Sequence, residues 1–285
     1  MFPIRDHNPS ERTPFVTYAL IAMNIVIFLT YYPFIGNDPH LLMEFYADWG
    51  LTPANLYKGN DPHTLLSYIF LHGGWMHLVG NMLFLWIFGD NLEDLLGHFG
   101  FLLFYLASGA AAGLGHMLSD PVYPVPMVGA SGAIAGVMGG YLLMFPRARI
   151  DMLVILVVIF KVFTIPAWLM LGLWFTLQLF NGVAVGAENS GIAYWAHAGG
   201  FIAGIIIMLP VWLRRGGPGY WATTHGKPPH EDVEYRVTRR RSGIPRIHRH
   251  SAPRGADDRP ISDLSRIPPA GNKRDPSSPW SGGRR

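Results

Sequence analysis

Few strongly polar side chains interrupt the long apolar stretches of this 285-residue chain: His77, Asn81, Ser108, His116, Ser131, Gln178 and His197. Where the surroundings are lipid, such groups are costly, so each is a candidate for function. Ser131 and His197 form the pair with the most specific chemistry. A serine hydroxyl is a weak nucleophile until a base takes its proton, and imidazole has the unperturbed pKa suited to that task near neutrality. Attack on a carbonyl builds negative charge on oxygen, and His77, Asn81 and the backbone N–H of Ser131 are candidate donors to it. Every role in acyl transfer therefore has a candidate, although no carboxylate shares their depth to orient His197. The same residues also have plainer uses: a membrane serine commonly bonds to its own preceding turn, and an asparagine one turn from a histidine can join helices. The absence of cysteine excludes disulfides, thiolate metal sites and a cysteine nucleophile. No metal site is expected, and no cofactor.

The elements that must position these groups are helices in a membrane. Half of the residues (50%) are apolar and 14% are charged, a composition that excludes disorder for the chain as a whole and strains a soluble globule. A bilayer core of about 30 Å needs roughly 20 apolar residues per helical crossing. Apolar runs at residues 16–34, 75–88, 101–118, 127–145, 166–180 and 192–213 predict an all-α, six-span polytopic bundle. The chain divides into an N-terminal segment (1–14), the six-span domain (15–214) and a tail (215–285). Of 22 Lys and Arg, 16 lie within residues 214–285. Arg5, Arg12, Arg147, Arg149, Arg214 and Arg215 flank one side of the spans, and the positive-inside bias puts both termini in the cytoplasm. The run 150–180 is too long for one span and too short for two plus a loop, so residues 150–164 are expected as an interfacial or partly re-entrant segment on the inner side, with Lys161 near the headgroups.

With that orientation, the second, fourth and sixth spans all descend from the outer surface. His77, Ser131 and His197 fall in their first turns and share one depth. His77 and Asn81 are i and i+4 on one face. His197 shares a face with Gly200 and Gly204, while Gly132, Gly136 and Gly140 make a small-residue stripe beside Ser131. Glycine faces of this kind bring two spans close enough for a hydroxyl and an imidazole to meet.

Four strings carry a resemblance to a known family. Gly129-Ala130-Ser131-Gly132 resembles the GxSG motif of the rhomboid intramembrane serine proteases. Ala196-His197-Ala198-Gly199-Gly200, followed by Gly204, is similar to that family's AHxxGxxxG motif, His77 to Asn81 to its HxxxN, and Gly89, Glu93 and Gly97 to its GxxxExxxG. In order and spacing they cover roughly residues 15–213. The resemblance implies a six-helix rhomboid bundle with Ser131 as nucleophile, His197 as general base, and His77, Asn81 and the Ser131 amide as oxyanion hole. It implies a structural role for Glu93, holding the inner end of the second span. Residues 36–66 would be an outer loop partly in the outer leaflet, with Leu41, Leu42, Phe45 and Trp49 on its apolar face. The fifth span, around Trp168 and Trp174, would be a lateral gate. One position departs from the pattern: Ala135 stands where some members carry a tyrosine packed on the imidazole, and Trp195 or Phe201 is a candidate to replace it.

The implied activity is cleavage of peptide bonds in or near transmembrane segments of other proteins. The partners expected are therefore transmembrane protein substrates and the lipid bilayer, with no nucleic acid. The expected location is a bacterial inner membrane with the site facing outward. The Pro-, Gly- and Arg-rich tail lacks the apolar residues to fold and is expected to be a solvated segment that sets orientation, with contact of Arg239, Arg240 and Arg241 with anionic lipid as the alternative. Two other classes compete: a non-catalytic rhomboid-like binder, which intact Ser131 and His197 oppose, and a transporter, for which no inverted repeat is visible. Neither HExxH nor GxGD is present, so metallo- and aspartyl intramembrane proteases fit less well.

Overall fold

The computed structural model describes residues 2–156, 159–185 and 191–228. Most of the tail (residues 229–285) and the short segments 157–158 and 186–190 lie outside them. Strand β1 (Phe2–Asp6) leads into helix α1 (Phe15–Ile35), followed by α2 (Pro39–Trp49), α3 (Pro53–Tyr57), α4 (Thr64–Ser67) and the long α5 (Trp75–Ser119). The central α6 (Ser131–Met144) precedes strands β2 (Arg149–Leu156) and β3 (Ile159–Pro166). Helices α7 (Ala167–Ala184), α8 (Tyr194–Arg214) and α9 (Pro218–Thr224) complete the described chain. By length and composition α1, α5, α7 and α8 can each cross a membrane, and α6 is a shorter apolar helix of 14 residues.

Helix α5 is two helices in one. Gly97 adopts φ 72° and ψ 164° inside it, a conformation that glycine alone enters cheaply. A straight helix would separate His77 from His116 by roughly 58 Å, yet both line one cavity. The arms on either side of Gly97 therefore run back alongside each other. The first arm extends well beyond residue 88, so the second apolar run of the sequence understates its helix.

Helix α6 sits at the centre. Gly132 through Tyr141 are all buried, as expected for a helix that is apolar all round and enclosed by others. Its closest neighbour is α8. A Cβ added at Gly200 would fall on the Gly132 carbonyl, and one at Gly204 on that of Gly136. Two backbones approach this closely only where side chains are missing.

At the Met144 end of α6 lies a three-stranded antiparallel sheet in the order β1-β2-β3, so the all-α expectation needs correction. Residues 150–164, expected as an interfacial or partly re-entrant segment, belong to the hairpin β2–β3, registered from Arg149↔Pro166 to Leu156↔Ile159. The segment is dense in Ile and Val, whose branched side chains suit strands. Strand β1 adds to the other side of β2, from Phe2↔Leu153 to Asp6↔Ile150, with an irregularity between Pro3 and Arg5 where proline has no N–H to give. Asp151 is buried within the sheet and accepts from Arg5 Nε (2.7 Å), His7 Nε2 (2.9 Å) and Thr164 Oγ1 (2.6 Å). Burial alone would raise its carboxyl, but the hydrogen bonds from Thr164, His7 and Arg5 outweigh it and hold it at about 2.

Glu93 ties two helices together. Only 2% exposed, it accepts from Val16 N (2.8 Å), Thr17 N (2.7 Å), Thr17 Oγ1 (2.7 Å) and His98 Nδ1 (2.5 Å). Helix α1 has no side-chain cap of its own, so this carboxylate from α5 satisfies orphan N–H groups of its first turn and meets the positive end of its dipole. At the other end of the molecule, Tyr31 and Tyr46 both donate to the His72 carbonyl (2.7 and 2.9 Å), fastening α2 to α1 and to the approach of α5. Residues 215–228 of the expected tail are structured: Trp221 Nε1 donates to Leu143 O (2.9 Å) and Arg147 N to Gly226 O (2.8 Å).

Glu93→Ala leaves four donors without their acceptor and should cost about 2–3 kcal/mol, read as a lower thermal midpoint in detergent, with Glu93→Gln losing less. Asp6, on β1, accepts from Tyr141 OH (2.8 Å), and burial, with the Asp90 charge adding to it, pushes its carboxyl from 3.8 up to about 8. A raised folded-state pKa gives stability that is full below the unfolded value and lost as pH climbs through the folded one. Wild type should therefore lose stability between about pH 4 and 8. In Asp6→Asn that slope should be smaller, so melting curves across the window should favour the variant increasingly as pH rises.

Candidate functional site

Ser131 is the first residue of α6 and His197 lies in the first turn of α8. The glycine seam between these helices holds them side by side, and His197 Nε2 stands 2.8 Å from Ser131 Oγ. Both line a cavity of ≈ 390 Å³, with His77, His116, Tyr68, Met127 and Gly129 also on its walls. The loop leading to Ser131 is fixed from beneath. Gly129 N donates to Tyr68 O (3.0 Å), Tyr68 OH donates to Gly109 O (2.7 Å), and Leu51 and Met127 pair as an isolated bridge. Ala130 precedes α6 without a capping side chain, so the first N–H groups of α6, that of Ser131 among them, have no partner within the helix. They carry the positive end of its dipole.

His77 stands opposite. Gly73 N donates to His77 Nδ1 (3.2 Å), so the neutral ring bears its proton on Nε2. That nitrogen lies against Gly129: a Cβ there, at φ +132°, would come within 2.8 Å of it. An N–H donor thus faces the space beside Ser131. Asn81 is arranged differently. Its Nδ2 donates to the His77 carbonyl of its own helix (3.0 Å), and it is not among the described residues lining the cavity.

Gly129 and Gly132 border the cavity, and Gly200 and Gly204 lie in the α6–α8 seam. Glu93 is remote, at the α1 end of the first arm of α5. The two tryptophans of α7 occupy different places. Trp174 lies 5.9 Å from the His197 ring and 6.0 Å from Phe201, centroid to centroid. Trp168, 54% exposed, borders a surface hollow with Arg147, Arg149 and Thr164 beside the sheet. With Ala135 buried in α6, the ring against the imidazole is Trp174; Phe201 packs behind it on Phe175 at 4.6 Å, and Trp195 lies beside Gly182.

Two polar residues visible in the sequence but given no part in the pair are found beside it. His116 lines the cavity from the second arm of α5. Gln178 on α7 places Oε1 2.9 Å from His197 Nδ1. The signal for both was their polarity inside apolar runs; what the sequence withheld was which way α7 faces.

Apolar helices packed around a buried central helix, with a hydroxyl–imidazole pair at one end, define a helical membrane protein. The Rhomboid domain family model matches residues 59–214. The chain belongs to the rhomboid family, whose members are generally intramembrane serine proteases, and is a multi-pass integral membrane protein. It is 34% identical over 131 residues to the putative rhomboid protease YdcA of Bacillus subtilis, covering 46% of this chain and 62% of that one. It is 30% identical to the rhomboid protease GluP of Bacillus subtilis over 72% of this chain and 36% of that one. Rhomboid protein 1, mitochondrial, of Saccharomyces cerevisiae is 27% identical over 67% of this chain and 51% of its own length. The chain thus spans between about a third and three fifths of the length of these relatives.

The seam offers a direct check. Gly204→Ala forces α6 and α8 apart and should cost about 1–3 kcal/mol, seen as a lower melting midpoint. Gly172→Ala, on α7, where a Cβ meets nothing within 4 Å, should leave that midpoint unchanged.

Proposed function

We propose that the protein is an intramembrane serine endopeptidase that cleaves peptide bonds in or near transmembrane segments of other membrane proteins. The observation that carries the reading is the 2.8 Å approach of His197 Nε2 to Ser131 Oγ within a cavity. In this mechanism His197 takes the hydroxyl proton as Ser131 Oγ attacks the scissile carbonyl carbon. The resulting oxyanion is received by the Ser131 N–H and His77 Nε2–H, with Asn81 joining once its amide turns from the His77 carbonyl. His197 then passes the proton to the leaving amine, and an acyl-enzyme remains on Ser131. Water, deprotonated by the same imidazole, releases the acyl group and returns the proton to Ser131.

Six crossings complete the topology: α1, the two arms of α5, α6, α7 and α8, with both termini in the cytoplasm and the cavity toward the outer face. This arrangement is supported by the arginines near the sheet and α8 ends, at the opposite end of α6 from Ser131. Helix α7, with Trp174 against His197, is the side from which a substrate helix would enter.

Reconstitution with a single-span substrate, together with a fluorophosphonate probe, tests the assignment. Wild type should cleave and label, and Ser131→Ala should lose all labelling and at least about 10³-fold in cleavage. Cleavage surviving in Ser131→Ala would remove that hydroxyl from the mechanism, and substrate binding without turnover in wild type would indicate a non-catalytic binder.

A further inference from the structure

Among the described residues no carboxylate stands behind the Ser131–His197 pair, yet the far nitrogen of its imidazole is occupied. Gln178 Oε1 lies 2.9 Å from His197 Nδ1. A carbonyl oxygen can only accept, so this contact requires the proton on Nδ1 and leaves the Nε2 lone pair directed at Ser131 Oγ, 2.8 Å away. The opposite tautomer would present a proton to the hydroxyl and could not act as its base. One turn earlier on the same helix, Trp174 covers the imidazole with its ring 5.9 Å away and tilted by 34°. Residues 174 and 178 are i and i+4, so one face of α7 delivers a flat wall and an acceptor to the same side chain.

We propose that Gln178 is the positioning residue of the reactive pair, fixing the Nδ1–H tautomer and the ring orientation of His197 from α7. The proposal rests on the proteolytic reading given above. An amide suits this place physically. A carboxylate would carry a charge into a region where ionised groups are expensive, whereas the amide dipole accepts the same proton without one. The remainder of the reaction is unaltered: Gln178 neither gains nor loses a proton, and the Nδ1–H stays on the ring while Nε2 shuttles the serine proton.

The test combines two variants with a spectroscopic readout. Gln178→Met keeps an unbranched side chain of similar length but removes the acceptor, and Gln178→Glu restores an acceptor oxygen. Gln178→Met should lower kcat and the fluorophosphonate labelling rate by at least about 10-fold, and by up to about 10⁴-fold if the imidazole settles in the wrong tautomer. KM should stay within about twofold, because the acceptor acts on the base and not on substrate. Gln178→Glu should recover most of the labelling rate. With ¹⁵N-labelled histidine, and the His197 signals assigned by comparison with His197→Ala, wild type should show Nδ1 protonated and Nε2 bare, and Gln178→Met should lose that pattern. A wild-type spectrum with the proton on Nε2, or a Gln178→Met protein that reacts at the wild-type rate, would overturn the proposal. Failure of the proteolytic reading looks different: wild type would neither cleave nor label, and the nitrogen spectrum would still decide the tautomer.

Discussion

The close backbone approach of α6 and α8 governs the rest of the molecule. Apolar side chains gain nothing by leaving lipid for one another, so helices in a membrane associate through packing and polar contacts. Gly132 and Gly136 on one side, and Gly200 and Gly204 on the other, bring main chain against main chain. That contact sets the distance between the first turns of the two helices and therefore between Oγ of Ser131 and Nε2 of His197. The surrounding elements serve the same geometry. The arms of α5 enclose the pair, bringing His77 from one arm and His116 from the other to the cavity wall.

Several buried polar groups away from the cavity join one element to another. Glu93 completes the first turn of α1. Tyr31 and Tyr46 converge on one carbonyl of the loop before α5. Asp151 gathers donors from β1 and β3. Apart from the Asp151–Thr164 bond within the hairpin, these contacts join residues far apart in sequence.

Much of this was legible from the sequence because membrane helices announce themselves by length and apolarity, and because a few polar residues stand out against them. The coincidence of Ser131, His197 and His77 at one depth followed from helical periodicity and the order of the spans. The hairpin at residues 149–166 was not legible. A run rich in Ile, Val, Leu and Phe, interrupted by few polar residues, has the same apolarity as a helix, and its pairing with β1 depends on residues some 150 positions away. Glu93 was marked by its motif, but its acceptors' partners on α1 were not, since capping across helices leaves no local pattern. Likewise Gln178 was visible as a polar interruption, while its contact with His197 depends on the rotation of α7 about its own axis, which is decided only by packing, with Trp174 and Phe175 against Phe201.

The sheet has a mechanical meaning for α7. Strand β3 ends at Pro166 and the helix begins at Ala167, and the buried residues of α7 are Ala167, Met170 and Leu171, all near that junction. The rod is bolted at its foot and leans lightly at its head, where Trp174 and Gln178 touch the imidazole. Because an edge strand of that sheet is residues 2–6, a purification handle fused directly ahead of Phe2 would load the sheet on which the foot of α7 rests.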